Sequence, residues 1–129
     1  MADIEPYLEK AGEGVTFEWC KKQALRLNCW VFCGYPEVLT DNKNEKHYYN
    51  SQVVVSPKGE FVKSYKKHFL YDTDKSWAEA GPSFDTMDLY LPRKPEQIIK
   101  IGHGICMDIN PWEFKADFEK FEFASYHRD

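Results

Sequence analysis

One cysteine of this sequence stands where a thiol could act as a nucleophile. Cys106 follows a β-branched run that predicts a buried strand over residues 98–101. Gly102 and Gly104 come between the run and the cysteine, and glycine allows the backbone to bend and to approach other groups closely. The pattern therefore predicts a strand that ends in a sharp turn with a thiol at its tip.

A helix is predicted directly after this turn. Asn110 is a good N-cap and Pro111 a good first helical residue, and three phenylalanines recur behind them at helical spacing, Phe114, Phe118 and Phe121. A helix N-terminus near an exposed thiol favours the thiolate, which is the nucleophilic form. The alternative is a buried core cysteine, because free cysteines are usually buried.

The composition indicates a globular protein and argues against several classes of function. The chain has 129 residues, of which 43% are hydrophobic and 16% aromatic, and its formal net charge is −4. This is enough for one small domain, expected over residues 1–129, and the negative charge argues against nucleic-acid binding. The sequence shows no signal peptide or transmembrane run, so we expect no membrane partner.

The four cysteines indicate a reducing environment. They form no CxxC pair and no histidine cluster accompanies them, which argues against a zinc site. Free thiols persist in reducing compartments, so we expect a cytoplasmic protein.

Periodicity predicts a mixed α/β fold. A helix is expected from an N-cap at Thr16 to about Asn28, with one apolar face formed by Phe17, Cys20, Ala24 and Leu27. The continuous apolar run over residues 29–33 suits a central strand that ends at residues 34–37. Residues 48–65 predict a hairpin, and residues 71–97 predict a long irregular functional loop.

Two segments resemble motifs of the nitrilase superfamily, the carbon–nitrogen hydrolases. The run from Gly104 to Pro111 resembles the nucleophile motif, and Tyr65–Leu70 is similar to the family's lysine motif. The segment over residues 69–81 is most like the fungal protein N-terminal amidases within this family. The resemblance implies part of a four-layer αββα sandwich, incomplete at both ends.

The resemblance also implies roles for individual residues. Cys106 would be the nucleophile, and Lys67, rather than Lys66, would stabilise the oxyanion together with the backbone N–H of Met107. Asp108 could bind a substrate cation such as a free α-amino group, and its alternative role is a structural acceptor for turn N–H groups. The implied chemistry needs neither a metal nor an organic cofactor.

One catalytic element of the family is expected to be missing. The family's general-base glutamate belongs to a Pro-Glu motif on an early strand, before the first helix predicted here. Glu37 follows a proline but comes too late in the order of elements, so a strand-end or supporting carboxylate is the expected role. His103 lies too close in sequence to Cys106 for a usual dyad and is expected to pack. The chain is thus expected to be a central fragment.

Three functions remain open at this point. The first is an amidohydrolase that converts the side-chain amide of N-terminal Asn or Gln of proteins or peptides to the acid and releases ammonia. The second is an amidase of the same superfamily that acts on a small molecule. The third is a non-catalytic fragment that lacks the base.

Overall fold

The computed structural model describes residues 3–115, 117 and 119–128. They form helices and strands in the mixed arrangement that the periodicity predicts: α1 (Val15–Leu27), β1 (Val31–Thr40), β2 (Lys46–Val55), β3 (Phe61–Lys66), β4 (Asp85–Leu91), β5 (Lys94–His103) and α2 (Glu122–Arg128). Short 3-10 helices lie at Glu5–Tyr7, Asp74–Ser76, Cys106–Ile109 and Trp112–Phe114. No helix in the described residues is long and apolar enough to cross a membrane.

The first sheet has three antiparallel strands in the order β1-β2-β3. The hairpin predicted over residues 48–65 is confirmed as β2 and β3. Its turn closes where the Gly59 N–H donates to the Ser56 carbonyl at 2.8 Å, and Gly59 has a φ of +74°, which glycine adopts without strain. This hairpin carries the lysine motif at its far end.

The apolar run at residues 29–33 does not form a central strand, and that prediction is wrong. β1 extends to Thr40 and lies at the edge of the sheet, whereas β2 lies in the centre. Pro36 does not end the strand, because an edge strand tolerates a residue without an N–H. The Pro36 carbonyl instead accepts the Glu9 N–H at 2.9 Å.

Helix α1 covers one face of this sheet, as its apolar face predicts. Its N-cap is Gly14 rather than Thr16, because the Thr16 N–H and hydroxyl both bind the Glu9 carboxylate, at 2.9 and 2.7 Å. Leu27 is exposed and does not join the apolar face. The core between helix and sheet consists of Cys20, Ala24, Tyr35, Val53 and Val55.

The prediction of a single irregular loop over residues 71–97 is wrong. Strands β4 and β5 pair there as a two-stranded antiparallel sheet, with Asp85 opposite His103. The prolines of this region do not exclude strands, because Pro82 and Pro92 lie outside β4 and β5, and Pro95 lies at the register shift of β5, where it has no paired residue opposite. β5 is also not a buried strand, since Ile98 is 61% exposed.

The helix predicted directly after Pro111 does not form over the described residues 111–115, where a distorted 3-10 turn lies at Trp112–Phe114 instead, and Phe118 lies outside the described residues. Glu113 and Phe114 have φ values of +51° and +56°, which are incompatible with a right-handed helix. The helix that does follow, α2, packs against the end of β5. A Cβ on Gly104 would lie 2.5 Å from the Phe123 ring, so the close approach expected at this glycine is confirmed.

Candidate active site

Cys106 lies at an exposed and strained turn. It opens the 3-10 helix Cys106–Ile109, which we call the cysteine turn, and its thiol is free and exposed. Its φ of +47° is in the left-handed region, which costs a residue with a Cβ on the order of 1–3 kcal/mol and is concentrated at functional sites. Cys106 is therefore not a core cysteine, and the predicted tip position is confirmed.

Lys67 is fixed at the start of the segment Lys67–Leu70, which we call the lysine segment. Its side chain is buried and its Nζ donates to Asp74 Oδ2 at 2.5 Å. Its backbone N–H donates to the Asn50 carbonyl at 2.8 Å, and its own carbonyl accepts the Gly81 N–H at 2.7 Å. The backbone and the ammonium group of Lys67 are thus both held in place. The bond to Asp74 uses only one of the three N–H donors of this ammonium.

Asp74 is the residue of this site that sequence reasoning missed. It is buried in the loop between β3 and β4 and accepts Asn50 Nδ2 at 3.0 Å and the Tyr71 N–H at 2.9 Å besides Lys67. Burial raises the pKa of its carboxyl, but the hydrogen bonds from Lys67, Tyr71 and Asn50 outweigh burial and lower it. In the sequence, Asp74 is only an aspartate within a segment that is predicted to be irregular, and nothing marks it as the partner of Lys67.

Lys66, the neighbouring lysine, serves a different carboxylate. Its Nζ lies 3.1 Å from Glu37 Oε1, and Glu37 Oε2 accepts the Ser64 hydroxyl at 2.6 Å. Glu37 is 1% exposed. Burial raises its pKa, but the hydrogen bonds from Ser64 and Lys66 and the Lys66 charge outweigh it and lower the pKa. Glu37 is a supporting carboxylate within β1, not at its end.

Asp108 joins the cysteine turn to the lysine segment. Its carboxylate is fully buried and accepts four hydrogen bonds, from the Ile105 N–H at 2.8 Å, the Tyr65 hydroxyl at 2.9 Å, the Phe69 N–H at 2.7 Å and the His68 N–H at 3.1 Å. This geometry favours the structural-acceptor alternative. The substrate-binding role of Asp108 stays a prediction.

A cleft lies beside Met107, whose N–H is the predicted second oxyanion donor. Met107 is the second residue of the cysteine turn, and the first N–H groups of a helix have no carbonyl within the helix to bind. The cleft holds about 260 Å³ and is lined by Leu70, Tyr71, Asp72, Lys75, Met107, Glu113, Phe114 and Lys115. Its lining has both apolar and charged side chains and reaches the cysteine turn at Met107, but it includes neither Cys106 nor Lys67.

His103 packs rather than joins the thiol. It is 2% exposed, its ring stacks on Tyr65 with centroids 5.7 Å apart, and its Nδ1 lies 3.3 Å from Gln52 Oε1. Burial lowers its pKa, so the ring is neutral at neutral pH. The expectation of a packing role agrees with this environment.

One group of side chains could hold a metal ion. The ligand atoms of Asp41, Glu45 and His47 lie within 4.8 Å of one another. Asp41 and Glu45 lie in the β1–β2 connection and His47 near the start of β2, and Asp41 Oδ1 accepts the N–H groups of Lys43 and Glu45 at 2.9 and 2.8 Å. Such bonds account for the cluster without an ion, and the absence of a metal requirement stays a prediction.

Known proteins are similar to this chain in sequence and in fold. The protein N-terminal amidase of Schizosaccharomyces pombe is 39% identical over 125 residues, which cover 95% of this chain and 42% of that protein. The crystal structure of an N-terminal amidase with an Asn-Glu-Ala peptide superposes with a TM-score of 0.79 at 36% identity, over 95% of this chain and 31% of the other. The same comparison with a Gln-Val peptide complex gives 0.80 at 35% identity, over 95% and 30%.

These matches confirm the predicted fold class, and the chain spans less than half the length of the relatives it matches. The family model for carbon-nitrogen hydrolases matches residues 2–117, a range that includes both the lysine segment and the cysteine turn. The chain therefore belongs to the carbon-nitrogen hydrolase family.

Proposed function

We propose that this protein is an amidohydrolase that converts the side-chain amide of an N-terminal Asn or Gln to the acid and releases ammonia. The observation that carries the proposal is the buried Asp108 carboxylate, which accepts hydrogen bonds both from the residue before the exposed, strained Cys106 and from the residues that follow Lys67. Its support is the similarity of 95% of the chain to N-terminal amidases, one of them bound to an Asn-Glu-Ala peptide.

The geometry supports a thioester mechanism in which each residue has one task. The Cys106 sulfur forms a bond to the amide carbon, and the carbonyl oxygen takes up the negative charge. The Lys67 ammonium and the Met107 N–H stabilise this oxyanion. The C–N bond then breaks, the nitrogen leaves as ammonia with the proton from the thiol, and water hydrolyses the thioester to the acid and the free thiol.

The proton transfers need a general base that is not assigned to a residue of this chain. Glu37 does not fill this role, because both of its oxygens already bind partners of the first sheet. The resemblance implies a glutamate on an early strand for this task.

The substrate and setting complete the proposal. Free protein or peptide N-termini are the proposed partners, and we do not assign the contact with the α-amino group to Asp108, because its buried carboxylate already accepts four hydrogen bonds. Residues 1–129 are proposed as one domain. The four cysteines are free, which supports a cytoplasmic location because thiols stay reduced there.

Ammonia release from a pair of peptides tests the proposed function. A peptide with N-terminal Asn should be deamidated, and the same peptide with an acetylated N-terminus should not, because it lacks the cation. Cys106→Ala should abolish the activity without loss of folding, with Cys33→Ala as a matched control. Equal turnover of both peptides would favour the small-molecule amidase, and activity retained in Cys106→Ala would exclude the thiol mechanism.

A further inference from the structure

Asp108 binds groups on both sides of each predicted catalytic residue. Tyr65 precedes Lys67, whereas His68 and Phe69 follow it, and all three donate to the Asp108 carboxylate. Ile105 precedes Cys106 and donates to the same carboxylate, which itself lies two residues after the thiol. One side chain therefore determines where two distant segments of the sequence lie relative to each other.

We propose that Asp108 is the positioning residue that holds the cysteine turn against the lysine segment, so that Cys106 and Lys67 act on one substrate carbon. The inference rests on the proposed function, which places both residues in one site. Asp108 acts through these neighbours and does not itself contact the reacting atoms.

The four bonds require a carboxylate rather than any polar side chain. An ionised carboxylate offers about four lone-pair sites and no donor, and at Asp108 four donors approach at 2.7–3.1 Å. Three of the donors are backbone N–H groups, which cannot reverse their polarity. An amide at this position would turn its NH₂ group towards at least one of them and leave that bond unmade.

The phenol of Tyr65 is a fixed donor in this arrangement. Burial, and then the charge of Asp108, raise the pKa of Tyr65, so its hydroxyl keeps its proton across the neutral range. The Tyr65 ring is held in turn by the stacked ring of His103 at 5.7 Å. The buried histidine thus supports the positioning of the hydroxyl through packing.

The strained turn explains why such a clamp is needed. Cys106 has a φ of +47°, and a residue keeps such a conformation only where its surroundings over-determine it. The Asp108 bond to the Ile105 N–H fixes the residue before the thiol at 2.8 Å. Without it, the turn is free to relax and the thiol loses the position that this bond gives it.

The test compares Asp108→Asn with Asp88→Asn in the purified protein. Asp88 is exposed on β4, so its variant controls for the loss of one charge. Two measurements are made on each protein: kcat and KM for ammonia release from a peptide with N-terminal Asn, and the rate of Cys106 alkylation by iodoacetamide at neutral pH, followed by mass spectrometry of its peptide.

Positioning predicts a loss in kcat rather than in KM. In Asp108→Asn we expect kcat to fall roughly tenfold to a hundredfold, because misplacement of reacting groups by about 1 Å has effects of this size, while KM changes less than about threefold. The rate of Cys106 alkylation should change at least about threefold, because the bond that fixes Ile105, the residue before the thiol, is lost. A change in rate in a variant that keeps the circular dichroism spectrum of the parent excludes unfolding as its cause.

Two other outcomes for Asp108→Asn contradict the proposal. A higher KM with kcat retained would assign Asp108 to substrate binding, and unchanged kcat and alkylation would leave it a structural acceptor only. If Asp108→Asn does not fold, Tyr65→Phe removes one donor and should lower kcat about threefold with KM unchanged, and an unchanged kcat contradicts the proposal. If the parent protein releases no ammonia, the proposed function fails, and the alkylation rates alone decide whether Asp108 positions Cys106.

Discussion

The adjacent lysines Lys66 and Lys67 each form an ion pair, and the two pairs differ in their carboxylate partner and in the burial of the lysine. Lys66 is the last residue of β3 and reaches Glu37 of β1 across the first sheet. Lys67 leaves the strand and binds Asp74, which lies in the loop before β4. The side chain of Lys66 is 22% exposed and that of Lys67 is 3% exposed, so a shift of one residue changes both partner and burial.

The difference separates a structural pair from a candidate catalytic one. The Glu37 carboxylate also binds Ser64, whose oxygen lies 2.7 Å from the Tyr35 hydroxyl, so the Lys66 pair belongs to a network within one sheet. The neighbours of Lys67 instead bind Asp108 and through it the cysteine turn. The same side-chain type therefore stabilises a sheet at one position and faces the proposed chemistry at the next.

Replacement of the two lysines should give the largest contrast. In Lys67→Ala we expect kcat for ammonia release to fall about 10²-fold or more, because an oxyanion donor contributes on this scale. Lys66→Ala should keep kcat within about threefold of the parent, since its charge is engaged by Glu37. Steady-state kinetics on the N-terminal Asn peptide, at a temperature where both variants are folded, measures the difference.

The opposite result would change the alignment of the lysine motif. If Lys66→Ala loses activity and Lys67→Ala does not, Lys66 becomes the oxyanion residue and the predicted role of Lys67 is wrong. Equal losses in both variants would indicate that each acts through the fold rather than through the site.

The first sheet shows which parts of the fold the sequence could predict. The hairpin of β2 and β3 follows from a Val-rich run and the turn signal at Ser56–Gly59, which are both local. The strand predicted over residues 98–101 is part of β5. β4 and the start of β5 were missed because Pro92 and Pro95 resemble loop residues; Pro92 lies in the turn between the strands, and Pro95 lies at the irregularity where the register shifts. Local signals therefore predicted the hairpin, and pairing information was needed for the second sheet.

The candidate site likewise has parts that local sequence signals predict and parts that depend on long-range contacts. The turn at Gly104 and Cys106 can be predicted from the sequence alone. Its contact with the lysine segment cannot, because that contact is made by Asp108, which lies some forty residues from His68 and Phe69 in the sequence. Spacing alone cannot show such a contact, and the resemblance to a family was needed to choose Lys67. Asp74 lies within the segment over residues 69–81 that resembles the N-terminal amidases, but nothing in the sequence marks it as the partner of Lys67.

Removal of the partner of Lys67 should cost the most stability. Asp74→Asn leaves the buried ammonium without a countercharge, so we expect the free energy of unfolding to fall by about 3–5 kcal/mol. Asp72→Asn is the matched control, because the Asp72 side chain is 88% exposed, and its effect should stay within about 0.5 kcal/mol. Urea unfolding measures both, and equal effects would contradict an ion pair that stabilises the fold.

Removal of the partner of Lys66 should have a smaller effect that depends on pH. Glu37→Gln should lower the free energy of unfolding by about 1–3 kcal/mol at neutral pH, the range for a buried bond left unmade. The folded-state pKa of Glu37 is lowered, so its ionised form stabilises the protein above its unfolded pKa of about 4.3. This contribution is lost as the pH falls through the folded value.

The pH dependence provides the control for this variant. The stability difference between the parent and Glu37→Gln should be constant from neutral pH to about pH 5 and shrink below about pH 4, as protonation removes the charge in the parent. A difference that stays constant across the acid range would show that the Glu37 charge contributes nothing and that only its packing matters.

The smallest effect on stability is expected for Ser64, which binds Glu37, the partner of Lys66. Ser64→Ala removes the hydroxyl that donates to Glu37 at 2.6 Å, which should cost about 1 kcal/mol of unfolding free energy. Because the network stays within the first sheet, kcat and KM should equal those of the parent. Ser76 is an exposed serine in the loop that carries Asp74, so Ser76→Ala controls for the loss of a hydroxyl. A fall in kcat in Ser64→Ala alone would mean that the Glu37 network also positions the site, and the separation between the two lysine pairs would be wrong.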